Sequence, residues 1–177
     1  TYCNCYDIVY QSFVKPVYGK ASKGVFKISN DKDLSKLNDG MIVQEYIDWQ
    51  EYTIDLFSDF ESNIISVIPR KRIKILNGES HIGETENNEH IINESINLAN
   101  KLKLIGHNVI QCFYKDGIVK FIEVNPRYGG ASNLSFKSGA NTPEFLIKLL
   151  KGEKIKSQIK DFKDGLKMYR HSTDVFV

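Results

Sequence analysis

The residues best suited to chemistry lie in one short run, FIEVNPRYGG at residues 121–130. Glu123 and Asn125 are two residues apart, so a strand places both side chains on one face. Gln111 lies twelve residues before Glu123, on the other arm of a predicted hairpin. Oxygen ligands suit a hard cation such as Mg²⁺, which also keeps substrate phosphates in its shell. The pattern therefore predicts a metal site formed by Gln111, Glu123 and Asn125.

The turn of this hairpin decides whether the predicted ligands can meet. With a two-residue turn, Gln111 pairs with Ile122, and Glu123 then lies on the opposite face of the sheet. With a three-residue loop at residues 115–117, Gln111 pairs with Phe121 and shares a face with Glu123. Diagonal neighbours on one face are about 7–8 Å apart by Cα, a suitable separation for ligands of one or two metal ions. The metal-site hypothesis therefore predicts the three-residue loop.

Lys15 lies in the middle of an apolar run and precedes a loop bounded by glycines. A buried lysine needs a partner, and beside such a loop the natural partner is a phosphate. Small residues and backbone donors are available from Gly19, Ser22 and Gly24. A strand-edge lysine facing water and an ordinary surface turn are the alternatives. The loop is not a Walker loop, because it lacks the Gly-Lys-Ser/Thr ending.

Two further groups of residues suit a nucleotide and its transferring phosphate. A predicted strand end offers backbone donors and acceptors to an adenine edge at Gln44, Glu45, Tyr46 and Ile47. Glu51, a few residues on, can hold ribose hydroxyls, although charged residues at strand ends are also common without a function. Arg127 directly follows the predicted metal strand, where a guanidinium can clamp a carboxylate or a phosphoryl group. The basic run at residues 70–72 is interpreted as a solvated strand edge.

The remaining pattern predicts an α+β fold, an antiparallel sheet backed by helices. Strands are predicted at residues 13–17, 25–28, 41–46, 52–58, 63–69, 72–76, 108–114 and 118–124, with closing strands at 166–170 and 175–177. Helices are predicted at residues 31–37, 89–103 and 142–151. Residues 76–88 are polar and predicted to be mobile. One domain is expected over residues 1–177, with its core at about residues 13–150.

Composition narrows the classes of function. The chain has 177 residues and a formal charge of +2, with scattered cations, which argues against a nucleic-acid partner. No apolar run approaches the ~20 residues that span a membrane, and a cytoplasmic location is expected. Cys3 and Cys5 lack zinc-site spacing, so free thiols are expected. The start at Thr1 suggests a fragment of a longer protein.

The order of these features resembles the ATP-grasp superfamily over roughly residues 13–150. The likeness is to the large chain of carbamoyl-phosphate synthase, where a Gln and a Glu-x-Asn-Pro-Arg strand supply metal ligands. The resemblance implies that Gln111, Glu123 and Asn125 bind Mg²⁺, or Mn²⁺ as an alternative. It also implies that Lys15 contacts the phosphates of ATP beneath a lid at residues 19–24. The adenine would be read by Glu45 with the backbone of Tyr46 and Ile47, and the ribose by Glu51.

The family resemblance implies an ATP-dependent carboxylate–amine ligase. Such an enzyme activates a carboxylate or bicarbonate as an acyl phosphate, which an amine donor then attacks, with nucleotide held between two sheet-bearing lobes. The alternatives are a nucleotide-binding module without turnover, including a degenerate ATP-grasp domain, and an unrelated α+β domain. The unrelated domain predicts that Gln111, Glu123 and Asn125 do not converge. The acceptor and the oligomeric state are left open by the sequence.

Overall fold

The computed structural model describes residues 11–19 and 23–176, and the chain divides into two compact units. The N-terminal unit ends at Asp48 and the C-terminal unit begins at Trp49. The described part of the N-terminal unit contains β1 (Ser12–Pro16), β2 (Phe26–Ile28), α1 (Asp31–Leu34) and β3 (Met41–Glu45). Its strands form an antiparallel sheet in the order β2-β1-β3. The fully buried side chains of Val14 and Ile28 form its interior.

The C-terminal unit is built on a six-stranded antiparallel sheet in the order β8-β7-β4-β5-β6-β9. Its strands are β4 (Gln50–Ser58), β5 (Ile64–Leu76), β6 (Glu79–Thr85), β7 (Gly106–Lys115), β8 (Ile118–Asn125) and β9 (Lys167–Tyr169). Its helices are α2 (Glu89–Leu102), α3 (Asn133–Ser138) and α4 (Thr142–Leu150). The predicted α+β architecture with antiparallel sheets is therefore confirmed.

Helix α2 covers one face of this sheet. Its buried residues Ile91, Ile92 and Ala99 pack with Ile54 and other apolar residues of the central strands. The helix begins at an Asn88 cap, whose side chain accepts from the Ile91 N–H at 3.2 Å. None of the helices in the described ranges has the length and apolar character needed to cross a membrane.

The opposite face carries a stripe of polar side chains that becomes buried toward one end. On β4, Glu51, Thr53, Asp55 and Phe57 share this face because side chains alternate along a strand. The apolar end of the face is closed by α4, whose Phe145 packs edge-on against Phe57 with ring centroids 5.9 Å apart. The Glu51 end of β4 is therefore the more open end of the polar face.

Three sequence predictions about the elements are wrong. Residues predicted as two strands form the single strand β5, whose pairing with β6 is interrupted by register shifts. The segment at 76–88, predicted to be mobile, contains β6 and a tight Asn77-Gly78 turn with φ angles of 52° and 79°. The predicted closing strand at 166–170 is present as β9, but residues 175–176 form no strand. Helix α3 is an element that the periodicity did not predict.

Candidate functional site

The β7–β8 hairpin brings the predicted metal ligands together by a route that differs from the predicted one. Lys115 pairs with Ile118, so the turn contains two residues, Asp116 and Gly117, with φ angles of 49° and 83°. Positive φ at both positions is typical of a type I′ turn, and the predicted three-residue loop is therefore wrong. A register shift farther along β8 nevertheless pairs Gln111 with Glu123, so the two side chains share a face, as the metal-site hypothesis requires.

This register shift is a β-bulge at residues 121–122 of β8. Cys112 pairs with Phe121 and Gln111 pairs with Glu123, so Ile122 is the extra residue. A bulge of one residue changes which face the following side chains occupy. Glu123 and Asn125 consequently lie on the same face of the sheet as Gln111.

The three predicted metal-binding side chains are in direct contact. The Gln111 Nε2 and the Asn125 Nδ2 each donate to the Oε1 atom of Glu123, both at 2.7 Å. The convergence contradicts the unrelated-domain alternative, which required these side chains to stay apart. The three side chains therefore form one polar cluster toward the open end of the sheet.

An ion pair between Glu51 and Arg72 borders this cluster. The Arg72 Nη1 contacts the Glu51 carboxylate and donates to the Gln111 Oε1 at 3.2 Å. Its Nη2 donates to the Gly78 carbonyl at 2.8 Å. The side chain of Arg72 is only 7% exposed, so the interpretation of residues 70–72 as a solvated edge is wrong for this residue. This arrangement places Glu51 beside the metal-site candidates, and a ribose role gains no support from its contacts.

The protonation of Glu51 reflects opposing effects. Burial raises the pKa of Glu51, the charge and hydrogen bond of Arg72 offset this in part, and the nearby charge of Glu123 adds to the increase, so the pKa lies above its usual value. The positive charge of Arg72 therefore offsets the repulsion between the neighbouring carboxylates of Glu51 and Glu123. With Arg72 paired to Glu51, Glu123 contributes the unbalanced negative charge of the cluster.

The donor set suits a hard divalent cation. Within the described ranges no group of three His, Cys, Asp or Glu side chains is placed to hold a metal ion. The cluster instead combines the carboxylate of Glu123 with the amides of Asn125 and Gln111, whose nitrogens face Glu123, so their oxygens would bind a cation after the amide groups turn. Mg²⁺ is commonly held by one or two carboxylates, waters and substrate phosphates, so a site with few carboxylates fits Mg²⁺ bound together with a nucleotide.

The Arg72 ion pair leads to a testable prediction. We expect Arg72→Lys to lower the free energy of unfolding by about 1–3 kcal/mol, because an ammonium cannot reproduce the planar contacts to Glu51, Gln111 and the Gly78 carbonyl. Urea unfolding measures the change. Lys71→Arg, which alters the neighbouring position on the other face of β5, is the matched control and should be near neutral. Equal stability of Arg72→Lys and the wild type would contradict this reading of the contacts.

The predicted nucleotide-binding residues lie mostly in the N-terminal unit. Lys15 is on β1 opposite Ile42, and Gln44 is on β3 opposite Phe13, so Lys15 and Gln44 share one face of that sheet. Glu45 pairs with Ser12 and lies on the other face. These positions are compatible with a nucleotide role for Lys15 and Gln44.

The remaining predicted residues of the N-terminal unit have separate surroundings. Tyr46 has the Lys27 Nζ 3.9 Å from its ring centroid, and Ile47 is half-buried. Gly19 and Gly24 lie at either end of the predicted lid loop, and Gly24 has a φ of 74°. Ser22 lies outside the described residues. The positive φ of Gly24 explains the choice of glycine there.

Arg127 is exposed and begins the loop that follows the metal strand. Its Nη1 donates to the Tyr128 carbonyl at 3.1 Å, and its backbone N–H donates to the Asn125 carbonyl at 2.8 Å. The same loop is contacted by Arg170, the residue after β9, whose guanidinium donates to the Gly130 carbonyl and to Glu79. Sequence reasoning did not identify this contact, because Arg170 and its partner Glu79 are both distant in sequence from the loop.

A fully buried acid, Asp55, lies farther along the same face of the sheet. The Arg70 Nε is 2.8 Å from its Oδ2, and the His107 Nε2 is 3.3 Å from its Oδ1, although neither contact has good hydrogen-bond alignment. The hydroxyls of Ser132 and Ser135 donate to its two oxygens. Burial raises the pKa of Asp55, but Arg70, His107 and Ser135 together hold it well below its usual range. Arg70 is thus a buried partner of Asp55, and its assignment to a solvated edge is wrong.

Comparisons with known proteins agree with this architecture. The family model described as "ATP-grasp in the biosynthetic pathway with Ter operon" matches residues 38–173. A search of curated proteins found no match.

Solved structures similar to this chain include several carboxylases. The complex of Campylobacter jejuni biotin carboxylase with βγ-ATP has a TM-score of 0.74 at 20% identity, covering 92% of this chain and 42% of its own. The biotin carboxylase domain of Hydrogenobacter thermophilus 2-oxoglutarate carboxylase, with MgADP, ADP and bicarbonate, has a TM-score of 0.73 at 14% identity, with 92% and 41% covered. At these identities the likeness establishes the fold alone, and the chain spans less than half of these structures.

A synthetase provides a third likeness. Staphylococcus aureus N5-carboxyaminoimidazole synthetase, complexed with ADP, has a TM-score of 0.69 at 15% identity, with 84% of this chain and 43% of the synthetase covered. The shared fold thus occurs in proteins whose structures contain nucleotides.

Proposed function

Because this chain belongs to the ATP-grasp family, we propose that it binds ATP with Mg²⁺ and serves an ATP-dependent carboxylate–amine ligase. The acceptor would be a small carboxylate or bicarbonate, and an amine donor would complete the reaction. Resemblance to carbamoyl-phosphate synthase in the Glu-Val-Asn-Pro-Arg strand favours bicarbonate as an acceptor to test. Bicarbonate is also a ligand in the Hydrogenobacter thermophilus structure.

One observation carries this proposal. Gln111 and Asn125 both donate to Glu123, which collects the three predicted metal ligands at one place. The Glu51–Arg72 pair lies beside them and is internally neutral. A divalent cation here would meet the charge of Glu123 and the oxygens of neighbouring amides. Because Glu123 would neutralise only part of its charge, a bound divalent cation could also neutralise nucleotide phosphates.

The residues of the C-terminal unit would act on the phosphoryl group. Glu123, Asn125 and Gln111 would hold Mg²⁺, with Mn²⁺ as a substitute, and the bound ion would neutralise phosphate charge during transfer. Arg127, once its guanidinium leaves the Tyr128 carbonyl, would contact the oxygens of the transferring group. A planar guanidinium can donate two parallel hydrogen bonds to such oxygens.

The family resemblance assigns nucleotide contacts to residues of the N-terminal unit as well. Lys15 would donate to phosphate oxygens, and the loop at 19–24 would contribute backbone N–H groups from Gly19, Ser22 and Gly24. The strand end at residues 44–47 would contact the adenine edge. We propose Glu51 for the phosphate end of the site and not for the ribose, because Arg72 joins its carboxylate to Gln111 of the predicted metal site.

The reaction needs no nucleophile from the protein. A carboxylate oxygen of the acceptor attacks the γ-phosphorus of ATP, the bond to the β-γ bridging oxygen breaks, and ADP leaves. The amine then attacks the carbonyl carbon of the acyl phosphate, inorganic phosphate leaves, and the amine loses a proton. The chain's contribution is therefore positioning and charge stabilisation.

The test separates catalysis from binding alone. Calorimetry of the full-length parent with ATP, with and without Mg²⁺, measures binding. ADP formation is then followed with bicarbonate and a panel of small carboxylates, each with ammonia or an amino acid. We expect Mg²⁺-dependent binding and ADP formation that requires both acceptor and amine. Binding without turnover in any combination would favour a nucleotide-binding module, and absence of binding would reject the proposal.

A further inference from the structure

The loop that carries Arg127 is attached to a buried polar network. We use "the Arg127 loop" for residues 126–131, between the last predicted metal ligand, Asn125, and the start of α3. Arg127 is exposed, and its Nη1 donates to the carbonyl of the next residue, Tyr128, at 3.1 Å. Two glycines in the loop make its backbone intrinsically adaptable. The direction in which Arg127 extends therefore depends on what holds the residues that follow it.

Tyr128 is the first point of attachment. Its ring stacks on His107 with centroids 4.2 Å apart and planes 24° apart, and Phe136 packs edge-on at 5.8 Å. The Oγ1 of Thr142 lies 3.0 Å from the Nδ1 of His107. Although Tyr128 is 39% exposed, His107 is only 8% exposed. Tyr128 therefore covers a buried imidazole whose two nitrogens both face polar partners.

Gly129 is the second point of attachment. Its backbone N–H donates to the Ser132 Oγ at 2.9 Å, and that hydroxyl donates to the Asp55 Oδ1 at 2.7 Å. His107 lies 3.3 Å from the same Asp55 oxygen. Two consecutive loop residues are thus connected, through different intermediates, to one buried carboxylate.

Asp55 and Arg70 are both buried, and the desolvation of their charges has a free-energy cost that a purely structural role does not require. Burying Asp55 with Arg70 removes two charges from water, and apolar side chains of similar volume often hold a fold as well or better. Hydrogen bonds are directional, unlike apolar contacts, so a hydrogen-bonded network can fix the orientation of the residues attached to it. The network ends on the loop beside the predicted metal strand.

We propose that His107 and Ser132 are positioning residues that, anchored on Asp55, hold the Arg127 loop in the orientation that the phosphoryl-transfer site requires. The proposal rests on the function proposed above, since it assigns Arg127 a role in phosphoryl transfer. His107 acts through the Tyr128 ring and Ser132 acts through the Gly129 amide.

The first measurement is hydrogen exchange by mass spectrometry on the full-length parent. Ser132→Ala removes the Gly129 link, and His107→Leu removes the ring on which Tyr128 stacks, so exchange in the loop should rise in both variants. We expect Ser132→Ala to speed exchange at residues 126–132 by about tenfold, with peptides of β4 and β5 unchanged. Ser132→Thr, which keeps a hydroxyl, should restore protection. Unchanged exchange in both variants would overturn the proposal.

The second measurement asks whether loop order serves phosphoryl transfer. The probe is MgADP with aluminium fluoride, a mimic of the transferring phosphoryl group, compared with MgATP. We expect Ser132→Ala to weaken binding of the mimic about tenfold while MgATP affinity changes less than about twofold, because transition-state contacts need the tighter geometry. Ser132→Thr should recover affinity for the mimic.

Each remaining outcome is decisive. Faster exchange with an unchanged preference for the mimic over MgATP would overturn the positioning role and leave a structural one. A general rise in exchange across the C-terminal unit would also reject it, because the effect would be global destabilisation. If the wild type binds neither nucleotide, the proposed function fails by itself, and the exchange data still decide whether the network holds the loop.

Discussion

Replacing Glu123 by glutamine is expected to weaken Mg²⁺-dependent binding of ATP by about 100-fold, or about 2.7 kcal/mol. The substitution keeps the size of the side chain and an oxygen that can still accept from Gln111 and Asn125. It removes the unbalanced negative charge of the cluster, since the other acid, Glu51, is paired with Arg72. Hard cations bind charged oxygens far better than amide oxygens. Calorimetry with and without Mg²⁺ measures the change.

The matched control is Glu61→Gln, which removes one negative charge from an exposed position of the same unit. We expect the control to bind MgATP as the wild type does, and both variants to unfold at the wild-type urea concentration. If Glu123→Gln bound MgATP with unaltered affinity, Glu123 would not be a metal ligand. Weakened binding that is equal with and without Mg²⁺ would assign Glu123 to the nucleotide and leave the metal elsewhere.

Replacing Asp55 by asparagine is expected to lower the free energy of unfolding of the C-terminal unit by about 3–5 kcal/mol. Asp55 is fully buried, and its removal leaves the Arg70 guanidinium, only 3% exposed, without a counter-charge. Urea unfolding followed by circular dichroism gives the change. Asp174→Asn, at an exposed position, is the control and should be near neutral. A loss below about 1 kcal/mol would show that the buried pair contributes little.

A double-mutant cycle isolates the pair itself. Arg70→Met in the Asp55→Asn background removes the unpaired guanidinium, so the double variant should be more stable than the sum of the single changes predicts. Strict additivity would mean that Arg70 and Asp55 do not interact energetically, despite the 2.8 Å separation of Nε and Oδ2.

The pH dependence of the Asp55 effect follows from the direction of its pKa shift. The pKa of Asp55 in the folded protein lies below the ordinary value of 3.8. A depressed carboxyl pKa contributes stability that is complete above the unfolded value and is lost as the pH falls through the folded value. The gap between wild type and Asp55→Asn should therefore narrow as the pH falls below about 4. The groups facing Asp55 are Arg70, His107, Ser132 and Ser135.

Local sequence patterns were sufficient for most strands and for the shared face of Glu123 and Asn125. The spacing of Glu123 and Asn125 determines their shared face within one strand, and this needs no knowledge of distant residues. The turn was mispredicted because the metal site required a three-residue loop in a regular hairpin. Asp116-Gly117 instead forms a two-residue type I′ turn, and the bulge at Ile122, which compensates for it, has no local signal. The Asn77-Gly78 pair is equally typical of such a turn, but the polarity of its surroundings concealed a hairpin.

The buried ion pairs could not be predicted from local pattern. Arg70 and Arg72 are two residues apart on β5, and their acids, Asp55 and Glu51, are on the neighbouring strand β4. A run of basic residues usually indicates a solvated edge, and only the register of β4 against β5 shows that these side chains face a covered surface. Arg170 reaches the Arg127 loop from 40 residues away in sequence, which is again a tertiary contact.

The bulge in β8 has an evolutionary consequence. In a regular hairpin with a two-residue turn, paired residues are always separated by an odd number of positions, as Lys115 and Ile118 are. Gln111 and Glu123 are separated by twelve, an even number that one inserted residue in the ladder makes compatible with pairing. A relative that lost this residue would retain both side chains on one face with a spacing of eleven. A search for related sites that requires a fixed spacing would therefore miss relatives in which the ligand geometry has been conserved.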